Sequence, residues 1–185
     1  MMEHIERCGF AAFNSNGVPG SYGLFRDKTL VRDACDLHTV STHLLAAFPN
    51  VQRLFLVGLS TGAFLSVAYA SSRIVGVPPP SPLLCGVAAI ACVDDIPSRY
   101  TLDFTPEQLA DFDTPPHHTC MKEFWPWRGE QHQQQQGEGE GEGGSGRVMW
   151  ELHRGYLESY TDFPDTQTMV EGIDRNVKIL LIHGE

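Results

Sequence analysis

Three short runs, residues 53–57, 83–93 and 177–182, are apolar almost without interruption. A strand with one wet face alternates apolar and polar side chains, so an unbroken apolar run marks a strand buried on both sides. Helical patterns lie between these runs. Within 27–48, Leu30, Ala34, Leu37, Val40, Leu44 and Leu45 recur at three- and four-residue spacing and form one apolar stripe, which Pro49-Asn50 ends. Residues 63–72 are small and apolar nearly all round, the pattern of a buried helix. Buried strands alternating with helices dictate an α/β fold: a mainly parallel sheet flanked by helices, joined by right-handed crossovers. Residues 9–14, stopped by turn residues, read as one further buried strand.

The chain has 185 residues, 42% of them hydrophobic, which suits one core and one domain spanning 1–185. Pro78-Pro79-Pro80-Ser81-Pro82 is a stiff linker. A long insertion, residues 98–176, separates the last two strands. Its middle, 131–146, is Gln-rich and then alternates Gly and Glu; such a stretch cannot bury apolar surface and is expected to be disordered. Before it stands Phe124-Trp125-Pro126-Trp127, either a tip that meets lipid or acyl chains or an anchor for the insertion. After it, Val148, Leu152, Tyr156 and Tyr160 share one helix face.

A net charge of −10 with no basic patch excludes a nucleic-acid binder and disfavours an anionic membrane surface. No apolar run reaches the length of a membrane span, and Met1 to Arg7 has no apolar signal core, so a cytoplasmic location is expected. The five cysteines, Cys8, Cys35, Cys85, Cys92 and Cys120, are odd in number and lack CxxC spacing; they read as reduced thiols. His117-His118-x-Cys120, with His132 beyond, fits no zinc template and reads as a surface loop, so no metal is expected. The glycine loop from Gly17 to Gly23 lacks the Lys-Ser/Thr ending of a phosphate cradle, which Lys28 does not supply, and no cofactor is implied.

Chemistry concentrates at Gly58-Leu59-Ser60-Thr61-Gly62, a GxSxG pentapeptide. An apolar strand runs into it and a small-residue helix leaves it, which is the setting of a nucleophile elbow. At such a sharp turn the serine backbone is strained. Side chains two residues to either side would collide, so glycine is expected at both 58 and 62. The turn lifts the Ser60 hydroxyl above the sheet and aims the Thr61 backbone N–H, at a helix N-terminus, where an oxyanion forms. The competing structural reading is a plain glycine-rich strand-to-helix turn.

With these residues in place, the sequence resembles the α/β-hydrolase superfamily, nearest the serine aminopeptidase and monoacylglycerol-lipase-like branch. Three pieces carry the resemblance. The first is residues 13–23, where Gly17, Ser21 and Gly23 match the family's loop, while Asn16 replaces its Arg and Pro19 its Gly. The second is the pentapeptide at Ser60. The third is Leu180-Leu181-Ile182-His183-Gly184-Glu185, similar to the family's seventh-strand ending. The resemblance implies a partial α/β-hydrolase whose residues 98–176 form a lid-like insertion. It implies Ser60 as nucleophile, Thr61 as oxyanion donor, and a small-molecule acyl ester or peptide as substrate.

The same resemblance puts the triad acid about two residues past Glu185 and the histidine later still, with the second oxyanion donor before Met1. The chain is therefore expected to hold neither acid nor histidine of the triad and, as it stands, to be inactive, since a serine without its base is a poor nucleophile. Other candidates read as structural: His38 as a packed histidine, His183 as a turn former, Asp94-Asp95 as a loop start. The alternative function is an α/β-hydrolase-like binding or interaction protein without catalysis.

Overall fold

The computed structural model describes residues 8–18, 20–93, 100–124 and 148–184. Its main sheet holds strands β1 (Leu54–Leu59), β2 (Leu84–Ile90) and β5 (Lys178–Ile182), in the order β1-β2-β5 and all parallel. Between β1 and β2 runs helix α2 (Thr61–Ala70); before β1 runs helix α1 (Leu30–Ala47). This is the expected α/β arrangement, a parallel sheet with helices packed on it.

Packing follows from the register. In a parallel pair, aligned residues project to the same side. Leu56 aligns with Val87 and Val87 with Ile179; Leu56 and Val87 face α2 and are buried. Ala63, Phe64, Val67, Ala68 and Tyr69 of α2 close over them, which is why this helix is apolar nearly all round. The α2–sheet contact makes the main core. Phe64 alone, 1% exposed, contributes about 2–3 kcal/mol by leaving water. Helix α1 is capped by Thr29, whose hydroxyl accepts the Arg32 N–H, and packs its Leu30 and Ala34 into the same core.

The opposite sheet face differs from expectation. Phe55, Val57 and Leu59 of β1 are 58%, 62% and 65% exposed, and all five residues of β5 are exposed. Apolarity on both faces implies burial on both faces, yet among the described residues helices cover only one. Residues 9–14 form no strand, and Phe10 is 87% exposed. A strand persists only beside a ladder partner, and no described strand pairs with this segment.

The insertion builds two units. The first holds a 3-10 turn at Tyr100–Asp103, helix α3 (Pro106–Asp113), and an antiparallel hairpin of β3 (Thr119–Phe124) and β4 (Val148–His153). Phe104, Phe112, Cys120 and Leu152 form its small core. Helix α3 starts at a capping box, Thr105 with Gln108, and has Pro106 in its first turn. Trp150 stacks obliquely on Phe25 at 5.4 Å, docking the hairpin against the body. The second unit, helix α4 (Gly155–Glu158), a 3-10 turn at Ser159–Asp162 and helix α5 (Thr166–Gly172), belongs to the main core through Tyr160, Phe163 and Met169. The Leu30 N–H donates to the Ser159 hydroxyl at 3.0 Å, joining this unit to the start of α1.

The helix expected across Val148 to Tyr160 is thus strand β4 followed by the short helix α4 and the start of a 3-10 turn. Val148-Met149-Trp150 satisfies strand propensity and pairs with Phe124-Glu123-Lys122, and tertiary pairing overrides the helical spacing. The segment 131–146, His132, Trp125-Pro126-Trp127, Asp94-Asp95 and Met1 to Arg7 lie outside the described residues. Among the described residues no helix is long and apolar enough to cross a membrane.

Candidate active site

Strand β1 ends at Leu59 and α2 begins at Thr61, leaving Ser60 alone to make the turn. Its backbone has φ 53° and ψ −120°. That combination lies outside the regions open to L-residues, and holding a non-glycine residue there costs about 1–3 kcal/mol. Such strain persists only where surrounding bonds over-determine it. They do: the Ser60 N–H donates to the Ile90 carbonyl at 2.9 Å, and the Ser60 carbonyl accepts from Ala63 and Phe64 at 2.9 and 3.1 Å. The side chain is left exposed at the carboxyl edge of the sheet and makes no capping bond to its helix.

The two glycines of the pentapeptide play unequal parts. A Cβ on Gly58 would stand 2.2 Å from the Gly62 carbonyl oxygen, so the first turn of α2 presses directly on Gly58. A Cβ on Gly62 would meet nothing within 4 Å among the described residues. The expectation that both positions exclude side chains is corrected for Gly62, because its missing substituent points into open space and not back at the strand. Ser66, one turn on, donates its hydroxyl to the Gly62 carbonyl at 2.7 Å and fixes the group that packs on Gly58.

Among the described residues the Thr61 and Gly62 amides have no hydrogen-bond acceptor. They are the first N–H groups of α2, where unsatisfied donors and the helix dipole together favour a negative charge. The adjoining strand ends are bonded into the same edge: the Ala91 N–H donates to the Ile182 carbonyl at 2.7 Å, and Ala91 also has a positive φ of 47°. Sequence reasoning missed Ala91; only the strand register, which no residue pattern reveals, sets it directly after Ile90, the partner of Leu59 and the acceptor of the Ser60 N–H.

The glycine loop is tied to α1 by a half-buried polar cluster. Lys28 Nζ donates to Ser15 Oγ and to Asp33 Oδ1, both at 2.6 Å, and the Asn16 N–H donates to Asp36 Oδ2 at 2.6 Å. Burial outweighs the Lys28 ammonium and holds the Asp33 carboxyl above the usual carboxylate range. Burial likewise pushes the Tyr69 and Tyr156 hydroxyls up to about 12.

No histidine or carboxylate among the described residues hydrogen-bonds the Ser60 hydroxyl. His38 is half-buried and shares a 2.9 Å bond with the Tyr69 hydroxyl, linking α1 to α2. The His118 ring bonds the Phe112 carbonyl at 3.0 Å, His117 is exposed, and Cys120 is buried. His183 is exposed just past β5. Among the described residues no group of three or more His, Cys, Asp or Glu side chains is placed to hold a metal ion.

The sequence matches no family model and no curated protein. The fold is similar to the crystal structure of a "putative hydrolase" from Agrobacterium vitis S4, with a TM-score of 0.50 and 16% identity. That likeness covers 93% of this chain and 66% of the other, so this chain spans less than two thirds of its neighbour's length. At such identity the likeness speaks to architecture alone: the chain has a hydrolase-like α/β fold.

Proposed function

We propose that this chain is the nucleophile-bearing part of a serine hydrolase, of the serine aminopeptidase and monoacylglycerol-lipase-like kind, acting on a small acyl ester or peptide-like bond. One observation carries the reading. Ser60 is an exposed, strained residue at a strand-to-helix turn on the carboxyl edge of a parallel sheet. In this reading Ser60 Oγ attacks the acyl carbon. An O–C bond forms, the carbonyl π electrons become an oxyanion, and the Thr61 N–H at the start of α2 stabilises it. The serine proton passes to a base and then to the departing alcohol or amine as its bond to the acyl carbon breaks; water next releases the acid from the ester intermediate. The insertion 98–176 serves as a lid-like element.

A second reading, a hydrolase-like binding protein without turnover, is supported by the lack of a base on the Ser60 hydroxyl among the described residues. A fluorophosphonate probe and a chromogenic acetyl ester separate the two. Labelling at Ser60, lost in Ser60→Ala, supports the hydrolase. Absence of both labelling and turnover in the unsubstituted protein, with imidazole added as an external base, favours the binding protein.

A further inference from the structure

We propose that Ala91 sets the room available to the apolar part of the substrate beside the Ser60 hydroxyl; the inference rests on the reading of Ser60 as nucleophile. The argument begins with register. Leu59 aligns with Ile90 in the β1–β2 ladder, so the next pair along the same edge is Ser60 and Ala91. Both remain bonded into the edge, Ser60 to the Ile90 carbonyl at 2.9 Å and Ala91 to the Ile182 carbonyl at 2.7 Å. Both then leave it with positive φ, 53° and 47°, at the same level of the sheet. Adjacent strands lie about 4.8 Å apart, so the Ala91 backbone runs beside that of Ser60 at this edge.

An acyl carbon within attacking distance of Ser60 Oγ carries its substituent to one side or the other. On the β2 side that substituent passes over Ala91, which is exposed. The residue ends in a methyl, and among the described residues of β2 Ala88, Ala89 and Ile90 lead up to it. The backbone does not ask for the methyl, because glycine satisfies a positive φ without strain. Its effect is to fill space beside the hydroxyl with an apolar surface, which suits an alkyl or acyl chain and not a charged group.

The test uses two fluorophosphonates on the full chain, one with an ethyl and one with a decyl substituent, and reads the ratio of their labelling rates. Asparagine tolerates positive φ, so Ala91→Asn adds bulk at little backbone cost. It is expected to slow decyl relative to ethyl labelling by about tenfold. Ala91→Gly, compatible with the backbone and smaller, is expected to speed decyl labelling relative to ethyl. An unchanged ratio in both variants overturns the role of Ala91 and leaves Ser60 standing. Should Ala91→Asn not fold, the ratio in Ala91→Gly decides alone. Imidazole is added throughout as an external base, and no labelling of the unsubstituted protein in its presence overturns the Ser60 reading and this inference with it.

Discussion

Replacing Gly58 and Gly62 by alanine, one at a time, tests how the elbow is held. At Gly58 the new Cβ would lie 2.2 Å from the Gly62 oxygen, 2.4 Å from its carbonyl carbon and 2.5 Å from the Ala63 nitrogen. Ordinary contact is about 3.5–4 Å. The first turn of α2 must therefore retreat by more than about 1 Å, and those atoms are backbone that no rotamer change can move aside. Overpacking of this kind costs about 3 kcal/mol. At Gly62 nothing among the described residues lies within 4 Å, and alanine in the first turn of a helix is favoured over glycine by about 1 kcal/mol. The two variants should differ by about 4 kcal/mol, equivalent to roughly 10 °C in melting temperature for a chain of this size. Far-UV circular dichroism during thermal and urea unfolding measures both. Equal melting temperatures, or Gly62→Ala melting lower than Gly58→Ala, would show that the helix does not press on the strand as described.

Four further outcomes are expected. Ser60→Gly relieves a backbone at φ 53° and ψ −120° and should raise the unfolding free energy by about 1 kcal/mol after glycine's own entropy is subtracted, seen as a higher urea midpoint, while abolishing probe labelling; a lower midpoint refutes the strain. Lys28→Met leaves the Asp33 carboxylate, 7% exposed, without its cation and should cost about 3–5 kcal/mol at neutral pH. The Asp33 pKa is raised in the folded state, so the folded protein holds that proton more tightly and loses stability as pH rises above the unfolded value of 3.8. Removing Lys28 enlarges that loss, so the penalty measured by urea unfolding at pH 7 should exceed that at pH 4; a flat penalty contradicts the pairing. Ser159→Ala strands the buried Leu30 N–H and should cost about 1–3 kcal/mol, with faster hydrogen exchange at the start of α1 and in 155–172 together. Cys8 is exposed and should react with a thiol reagent in the native protein, whereas Cys120, 2% exposed and with its thiol pushed up to about 11, should react only after unfolding.

The main sheet was legible because its strands have a one-dimensional signal. Runs 53–57, 83–93 and 177–182 became Leu54–Leu59, Leu84–Ile90 and Lys178–Ile182, and the apolar stripe from Leu30 became α1. Where partners decide, the residues were mute. Phe10 and Phe13 have strand composition but no ladder neighbour, and Val148 to Leu152 has helical spacing yet pairs with Thr119–Phe124. Helix α3 was readable and missed: Thr105-Pro106-x-Gln108 is a capping box with proline at the first position. At the candidate site the position of Ser60 between strand and helix followed from the pentapeptide. The freedom at Gly62 did not, since it depends on where one absent hydrogen points.

The ladder between β2 and β5 joins residues that the entire insertion holds apart in the chain, whereas β1 and β2 are linked through α2 alone. Closing the longer loop is entropically dearer, and β5 gains little packing in return, since all five of its residues stay exposed. Folding should therefore assemble α1, β1, α2 and β2 first and recruit β5 last. The serine turn lies wholly inside the early portion, so its unusual backbone is set before the sheet is complete.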